Sequence, residues 1–228
     1  MMHTSLIKAA LFGMSALALS ACTYSTYGAG DARSVEGEGL VASRDVDVPG
    51  DASFEGMMVG VDGRVGRDLN MEGASVRGNV DVGRDLNAEG ARVRFRGSVG
   101  RNADIAAATA ELRAQIEGRL EIAGARMTID GYVRGSTEID GARMMLDGEF
   151  MGPIEVYGAG SDDGSGRAIL SGSFLDGGLF CATYIDIERS AVFEGDFRFV
   201  SEDRPDNLPS NGSYEALDGR ICQDMFNR

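Results

Sequence analysis

An all-β chain wound as a single-stranded β-solenoid with 17-residue turns is the fold this sequence predicts. Two recurrences carry that prediction. Val65-Gly66-Arg67-Asp68-Leu69-Asn70 returns one such interval later as Val82-Gly83-Arg84-Asp85-Leu86-Asn87, and Val99-Gly100-Arg101-Asn102 follows after the same interval. Glu121-Ile122-Ala123-Gly124-Ala125-Arg126-Met127 returns as Glu138-Ile139-Asp140-Gly141-Ala142-Arg143-Met144, with the same spacing again. Both families share one frame, so residues 57–158 divide into six consecutive units without an insertion. Self-similarity at a fixed period marks a repeat architecture. Helical repeats need about 30 or more residues and a hydrophobic period near 3.6, and neither is present.

Taken from the start, the chain opens weakly basic (His3, Lys8) and continues as an apolar run from Ala9 to Ala21. That is the layout of a secretory signal, too short to span a bilayer comfortably. Residues 22–47 are rich in Gly, Ser and Ala and read as a flexible tether. The solenoid is expected over 48–200, with its regular turns at 57–158. One apolar column runs Val65, Val82, Val99, Ile116, Val133, Phe150, and another runs Met71, Ala88, Ile105, Ile122, Ile139, Val156. A third, Leu69, Leu86, Ala103, Leu120, Thr137, Ile154, precedes the second by two residues, as strand alternation requires. Gly or Ala closes each unit. The pattern is three short strand faces per turn, separated by bends. Ile105–Ile122 is Ala-rich enough to be argued as a helix, but its alanines keep the frame and read as a narrow rung. Turns stack at about 4.8 Å, so six of them extend roughly 30 Å. Residues 159–166 read as an exposed loop. The aromatic turns that follow, with Phe174, Phe180, Phe193, Phe197 and Phe199, suit a tapering core, and 201–228 reads as a cap or tail.

Charge and composition exclude much. The whole chain carries a net charge of −14. Without residues 1–21 it loses its only histidine and only lysine, leaving 21 arginines against 36 acidic groups. Such a surface repels nucleic-acid phosphates and anionic headgroups, so no nucleic-acid partner is expected. A mature chain without histidine builds no Ser-His-Asp triad or imidazole metal site, and without lysine no Schiff base. The central turns lack the large loops from which solenoid carbohydrate enzymes build a cleft. No enzyme activity, cofactor or metal site is expected.

Two charged columns remain as candidate binding ladders. Arg67, Arg84 and Arg101 stack beside Asp68, Asp85 and Asn102, either as a solvent ladder of mutual neutralisation or as a site for an anionic glycan. Glu121, Glu138 and Glu155 form an acidic column, either one that invites a divalent cation or a surface ladder whose carboxylates splay into water with Arg126 and Arg143 near. Cys181 and Cys222 are an even pair that reads first as a disulfide in an oxidising compartment, and otherwise as two buried thiols.

Two resemblances add to this reading. Leu19-Ser20-Ala21-Cys22 resembles the lipobox of bacterial lipoproteins, which implies cleavage before Cys22 and its lipidation. Several acyl chains, each methylene contributing roughly 0.8 kcal/mol, make a lasting membrane anchor. Thr23 replaces the aspartate that retains many such proteins at the inner membrane. The resemblance therefore implies a lipid anchor on the periplasmic side of the cell envelope, at the outer membrane. The stretch Val76 to Ala91 (VRGNVDVGRDLNAEGA), continued by Arg96-Gly97-Ser98-Val99, is similar to the bactofilins, polymer-forming cytoskeletal proteins; the likeness spans about residues 50–200. It implies a right-handed β-helix that assembles end to end without nucleotide. The export signal departs from that cytoplasmic family, and the C-terminal segment could cap an end that a polymer needs open. The functions implied are a structural, self-assembling envelope lipoprotein, or alternatively a rigid module that binds glycan, peptidoglycan or an envelope protein.

Overall fold

The structure is a computed structural model that describes residues 23–29, 32–158 and 166–217. Strands β1 (Thr23–Ala29), β2 (Ala32–Val48), β3 (Ala52–Val65), β4 (Leu69–Val82), β5 (Leu86–Val99) and β6 (Ala103–Ile116) come first. Then follow β7 (Leu120–Ile129), β8 (Tyr132–Val133), β9 (Thr137–Leu146), β10 (Glu149–Phe150), β11 (Ile154–Tyr157) and β12 (Arg167–Leu170). The chain continues through β13 (Ser173–Phe174), β14 (Gly178–Cys181), β15 (Tyr184–Ile187), β16 (Val192–Phe193), β17 (Phe197–Ser201) and β18 (Gly212–Ala216). All lie in one sheet and pair in parallel, apart from β1, which is antiparallel to β2. The result is a β-solenoid of about ten turns, with no helix among the described residues.

The pairing register is the sequence period. Leu69 stands opposite Leu86 and Val82 opposite Val99, so the expected columns are columns in space. Each β-strand buries alternate residues, and the apolar columns merge into one continuous core. Every inner position is covered by the turns above and below it, which is why no single turn could be stable alone. Three faces form each turn: a first face at Leu69–Gly73 and its equivalents, a second at Ser75–Gly78, and a third ending at Val82. The second bend is made at Gly63 and Gly97, where φ is +111° and +128°, a region that disfavours any side chain. The Ala-rich segment is the strand β6, in frame with its neighbours.

The first turn corrects one expectation. The span read as tether, 22–47, instead holds β1 and all but the last residue of β2, and β2 pairs with β3 from Val35↔Ala52 to Val48↔Val65. Few apolar residues mark this turn, because a neighbour fills its core. A Cβ on Gly37 would lie 2.9 Å from the Phe54 ring, so the bulk for two turns comes from one side chain.

After β11 the period changes. Ile154 pairs with Gly178 across the segment 159–165, which lies outside the described residues. Gly178 then pairs with Phe197, and Phe197 with Gly212. The core here is aromatic: Phe150, Phe174 and Phe193 stack in succession at 5.2 and 5.0 Å, with Phe180 edge-on to Phe174 at 5.3 Å. The expected cap is a specific set of bonds. The Asn207 amide donates to the Ile187 carbonyl at 2.7 Å, and the Asn211 amide donates to the Phe193 carbonyl at 3.2 Å. The Tyr214 hydroxyl donates to the Ser201 carbonyl at 3.2 Å. Carbonyls of the second and third faces thus meet side chains where a further rung would stand, and β18 covers the first face.

One core position is mismatched. Thr137 sits between Leu120 and Ile154 in an apolar column, 2 % exposed, and its hydroxyl has no hydrogen-bond partner. An unsatisfied buried hydroxyl costs about 1–3 kcal/mol. Thr137→Val is therefore expected to stabilise the fold by about 1 kcal/mol, read as a higher midpoint in urea unfolding.

Candidate functional site

The arginine column sits at the corner between the third and first faces, where each turn passes through Gly-Arg-Asp. Each guanidinium reaches back to the carboxylate of the preceding turn rather than to its neighbour in sequence. Arg67 meets Asp51 at 3.4 Å, Arg84 meets Asp68 at 3.5 Å, and Arg101 meets Asp85 at 3.5 Å. The same carboxylates accept from backbone one turn on: Asp68 N–H donates to Asp51 at 3.2 Å, and Asn102 N–H donates to Asp85 at 3.1 Å. Asn102 in its turn accepts from the Arg119 N–H at 3.0 Å. The column is a chain of turn-to-turn clasps, and its cationic charge is matched within itself.

The two partners differ in what they hold. Arg84 is 39 % exposed and makes a surface ion pair, so Arg84→Ala is expected to change stability by less than about 0.5 kcal/mol. Asp85 also accepts from the Asn102 amide and backbone, and Asp85→Ala is expected to cost about 1 kcal/mol more in denaturant unfolding. Beside the clasps runs a shallow groove of about 530 Å³ that crosses several turns, with Asp51, Asp68, Asn70, Asp85 and Asn87 on its walls.

The first face is acidic. Glu121, Glu138 and Glu155 pair in register as expected. Their balance comes from Arg119, which meets Glu121 at 2.7 Å and Glu138 at 2.8 Å, while Arg126 and Arg143 stand around the bend on the second face. Position in the repeat, not proximity in sequence, decides which charges meet. A second acidic column was missed: Glu38, Glu55, Glu72 and Glu89 stand directly opposite one another on four successive turns. It was readable, since Glu55, Glu72 and Glu89 recur at the interval of the repeat. Asp140 continues this column toward the C terminus. Burial, with Glu138 beside it, pushes its carboxyl above the ordinary value of 3.8.

A carboxyl raised on folding favours the folded state while protonated; the benefit is complete below its unfolded value and is lost as pH rises through the folded one. Asp140→Asn is therefore expected to raise Tm at neutral pH and to leave it unchanged near about pH 3, by scanning calorimetry. In the next turn, Tyr157 donates to Glu155 at 2.9 Å, and burial together with that bond pushes its phenol up to about 12.

The second face carries the opposite sign, and sequence reading did not find it. Arg77 and Arg94 share one column there, and Arg92, Arg126 and Arg143 another. Glu111 takes Arg94 at 3.2 Å, Arg113 at 3.6 Å and Arg96 at 3.8 Å. These arginines scatter along the chain, and only their assignment to one face makes them a cluster.

Cys181 is fully buried with Tyr157 and Val200 in a small outer cluster on the first face, against which Leu217 packs. Its expected partner Cys222 lies outside the described residues, as do Leu19, Ser20, Ala21 and Cys22 of the lipobox-like motif. Among the described residues no three acidic, His or Cys side chains group as a metal site would require. No protein-family model, curated protein or solved structure matches the chain.

Proposed function

We propose that this chain is a membrane-anchored structural lipoprotein of the bacterial cell envelope, bactofilin-like in its solenoid, whose copies associate through their solenoid ends. Cys22 carries the acyl anchor after cleavage at Leu19-Ser20-Ala21, and the protein stands on the periplasmic side at the outer membrane. The observation that supports this reading is the parallel in-register stack, in which each rung presents its backbone to the next. Unpaired strand edges template further stacking. The C-terminal rung is covered by Asn207, Asn211 and β18, and at the other end β1 covers β2 from Ala32 to Glu38. Cys181 and Cys222 are proposed to be bonded, since Leu217, which precedes Cys222 by five residues, already packs beside Cys181.

The test is sedimentation and electron microscopy of the Cys22→Ser protein. Concentration-dependent association through the solenoid ends is expected; a strictly monomeric rod removes self-association. Mass spectrometry of envelope-derived protein checks the anchor: an acylated N-terminal Cys22 is expected, and an unmodified start removes it.

A glycan-binding module is the second reading, favoured by the groove whose walls offer Asn70, Asn87 and Asn102 to sugar hydroxyls. The internally matched arginine clasps weigh against an anionic ligand there. A glycan-array signal lost on Asn87→Ala would carry this reading; no signal removes it.

A further inference from the structure

The largest exposed apolar side chains are not scattered evenly. Leu40, Val41, Met57 and Met58 are 56, 43, 61 and 54 % exposed. Val41 stands directly opposite Met58 in the β2–β3 register, and Leu40 and Met57 precede them at the bend, so the four form one patch across the first two turns. Further along, the same two columns change character. They become Ala74 and Ser75, then Ala91 and Arg92, Ala108 and Thr109, Ala125 and Arg126, and Ala142 and Arg143, and the column of Met58 runs on through Arg167 to Tyr184. The exposed Met145, Met151 and Val192 fall in three other columns, and Tyr184, in the column of Met58, lies toward the C-terminal end of the stack. Core packing does not explain the quartet, because these positions point outward on every turn.

Two observations say what covers it. The antiparallel register of β1 places Thr23 opposite Glu38, two residues from Leu40. The residue before Thr23 is Cys22. The patch therefore lies at the point where the chain leaves for its anchor. Secondly, the patch is rimmed by cations: Arg77 and Arg92 follow on the same face within the next two turns, while Arg94 beside them is held by Glu111. Guanidinium forks match phosphate oxygens, and an apolar face beside arginines is the arrangement by which surface-lying elements sink into the boundary between headgroups and acyl chains.

We propose that the second face of the N-terminal turns lies on a phospholipid surface, with Leu40, Val41, Met57 and Met58 entering the headgroup–acyl boundary and Arg77 and Arg92 on headgroup phosphates. This rests on the reading of Cys22 as the lipid anchor. The orientation follows from charge. Glu38, Glu55, Glu72 and Glu89 occupy the first face across the bend, where their carboxylates repel headgroup phosphates. The anchor holds the chain at the membrane, and the patch decides which side of the rod faces it.

The chain contains no tryptophan, so one inserted indole reports its own surroundings. The lipidated full chain is reconstituted with vesicles of phosphatidylcholine and a minority of phosphatidylglycerol, some carrying brominated acyl chains. Met57→Trp and Met151→Trp are compared, with flotation of the protein measured in parallel. Bromolipid quenching several-fold greater for Met57→Trp than for Met151→Trp is expected, and adding Leu40→Glu with Met58→Glu is expected to abolish it while flotation persists. Equal quenching at the two positions in floating protein overturns the membrane face and leaves the anchor standing. Failure to float overturns both. A concentration-dependent blue shift of Met57→Trp emission without vesicles means that a second copy covers the patch, and that too overturns the proposal.

Discussion

Phe174→Ala is expected to destabilise the protein by about 3–5 kcal/mol, the range for removing a buried aromatic ring from a core that cannot collapse around the gap. Phe174 is fully buried, stacked between Phe150 and Phe193 and edge-on to Phe180. Aromatic pairs add about 0.5–1.5 kcal/mol each beyond their area, so three partners lose contact at once. Collapse is hindered because backbone hydrogen bonds run along the stack: β13 is held to β10 on one side and β16 on the other. A solenoid is quasi-one-dimensional, so the damage should be local before it is global. Hydrogen exchange should show protection lost first in β10 through β17, with β3 to β5 still slow. Uniform loss across all turns would show that the stack melts as one unit.

Phe95→Ala is expected to cost a comparable amount, about 3–5 kcal/mol, and to reverse the effect of a second substitution. Phe95 is fully buried beneath Gly78, and a Cβ added to Gly78 would lie 2.6 Å from the Phe95 ring. Gly78→Ala alone should therefore destabilise. In the Phe95→Ala background the same methyl enters the vacated space and should be neutral or stabilising. The double-mutant cycle in urea unfolding reads that coupling directly, since residues sharing one cavity are not additive. Additivity would mean that positions 78 and 95 do not share a column.

These two cases indicate how the fold is written. A column of the solenoid conserves volume in sum, not residue by residue. Val61, Gly78, Phe95 and Leu112 fill one column, with the glycine accommodating the ring beneath it. Where every turn contributes its own aliphatic group, as at Val65, Val82 and Val99, the period was plain in the sequence. Where one turn fills the space of another, as Phe54 does over Gly37, the smaller turn looked like a tether. The same limit applied to the polar surface. The clasp column was legible because Gly-Arg-Asp repeats at consecutive turns. The second-face arginines were not, because Arg77, Arg92, Arg94, Arg126 and Arg143 belong to two columns interrupted by Gly60, Glu111 and Thr109. Grouping them requires knowing which residues turn outward on one side.

The amino-acid order by itself determined the frame of the repeat, the all-β class and the inward columns, because a regular period places like residues over one another once strands pair in parallel. Only the tertiary structure decided where the stack begins, how its last rung is closed and which charges share a face. Those features depend on bends that separate neighbours in sequence and on contacts between turns. Glu38 and Leu40 are two residues apart, yet the bend between them puts one on the acidic face and the other beside the arginines.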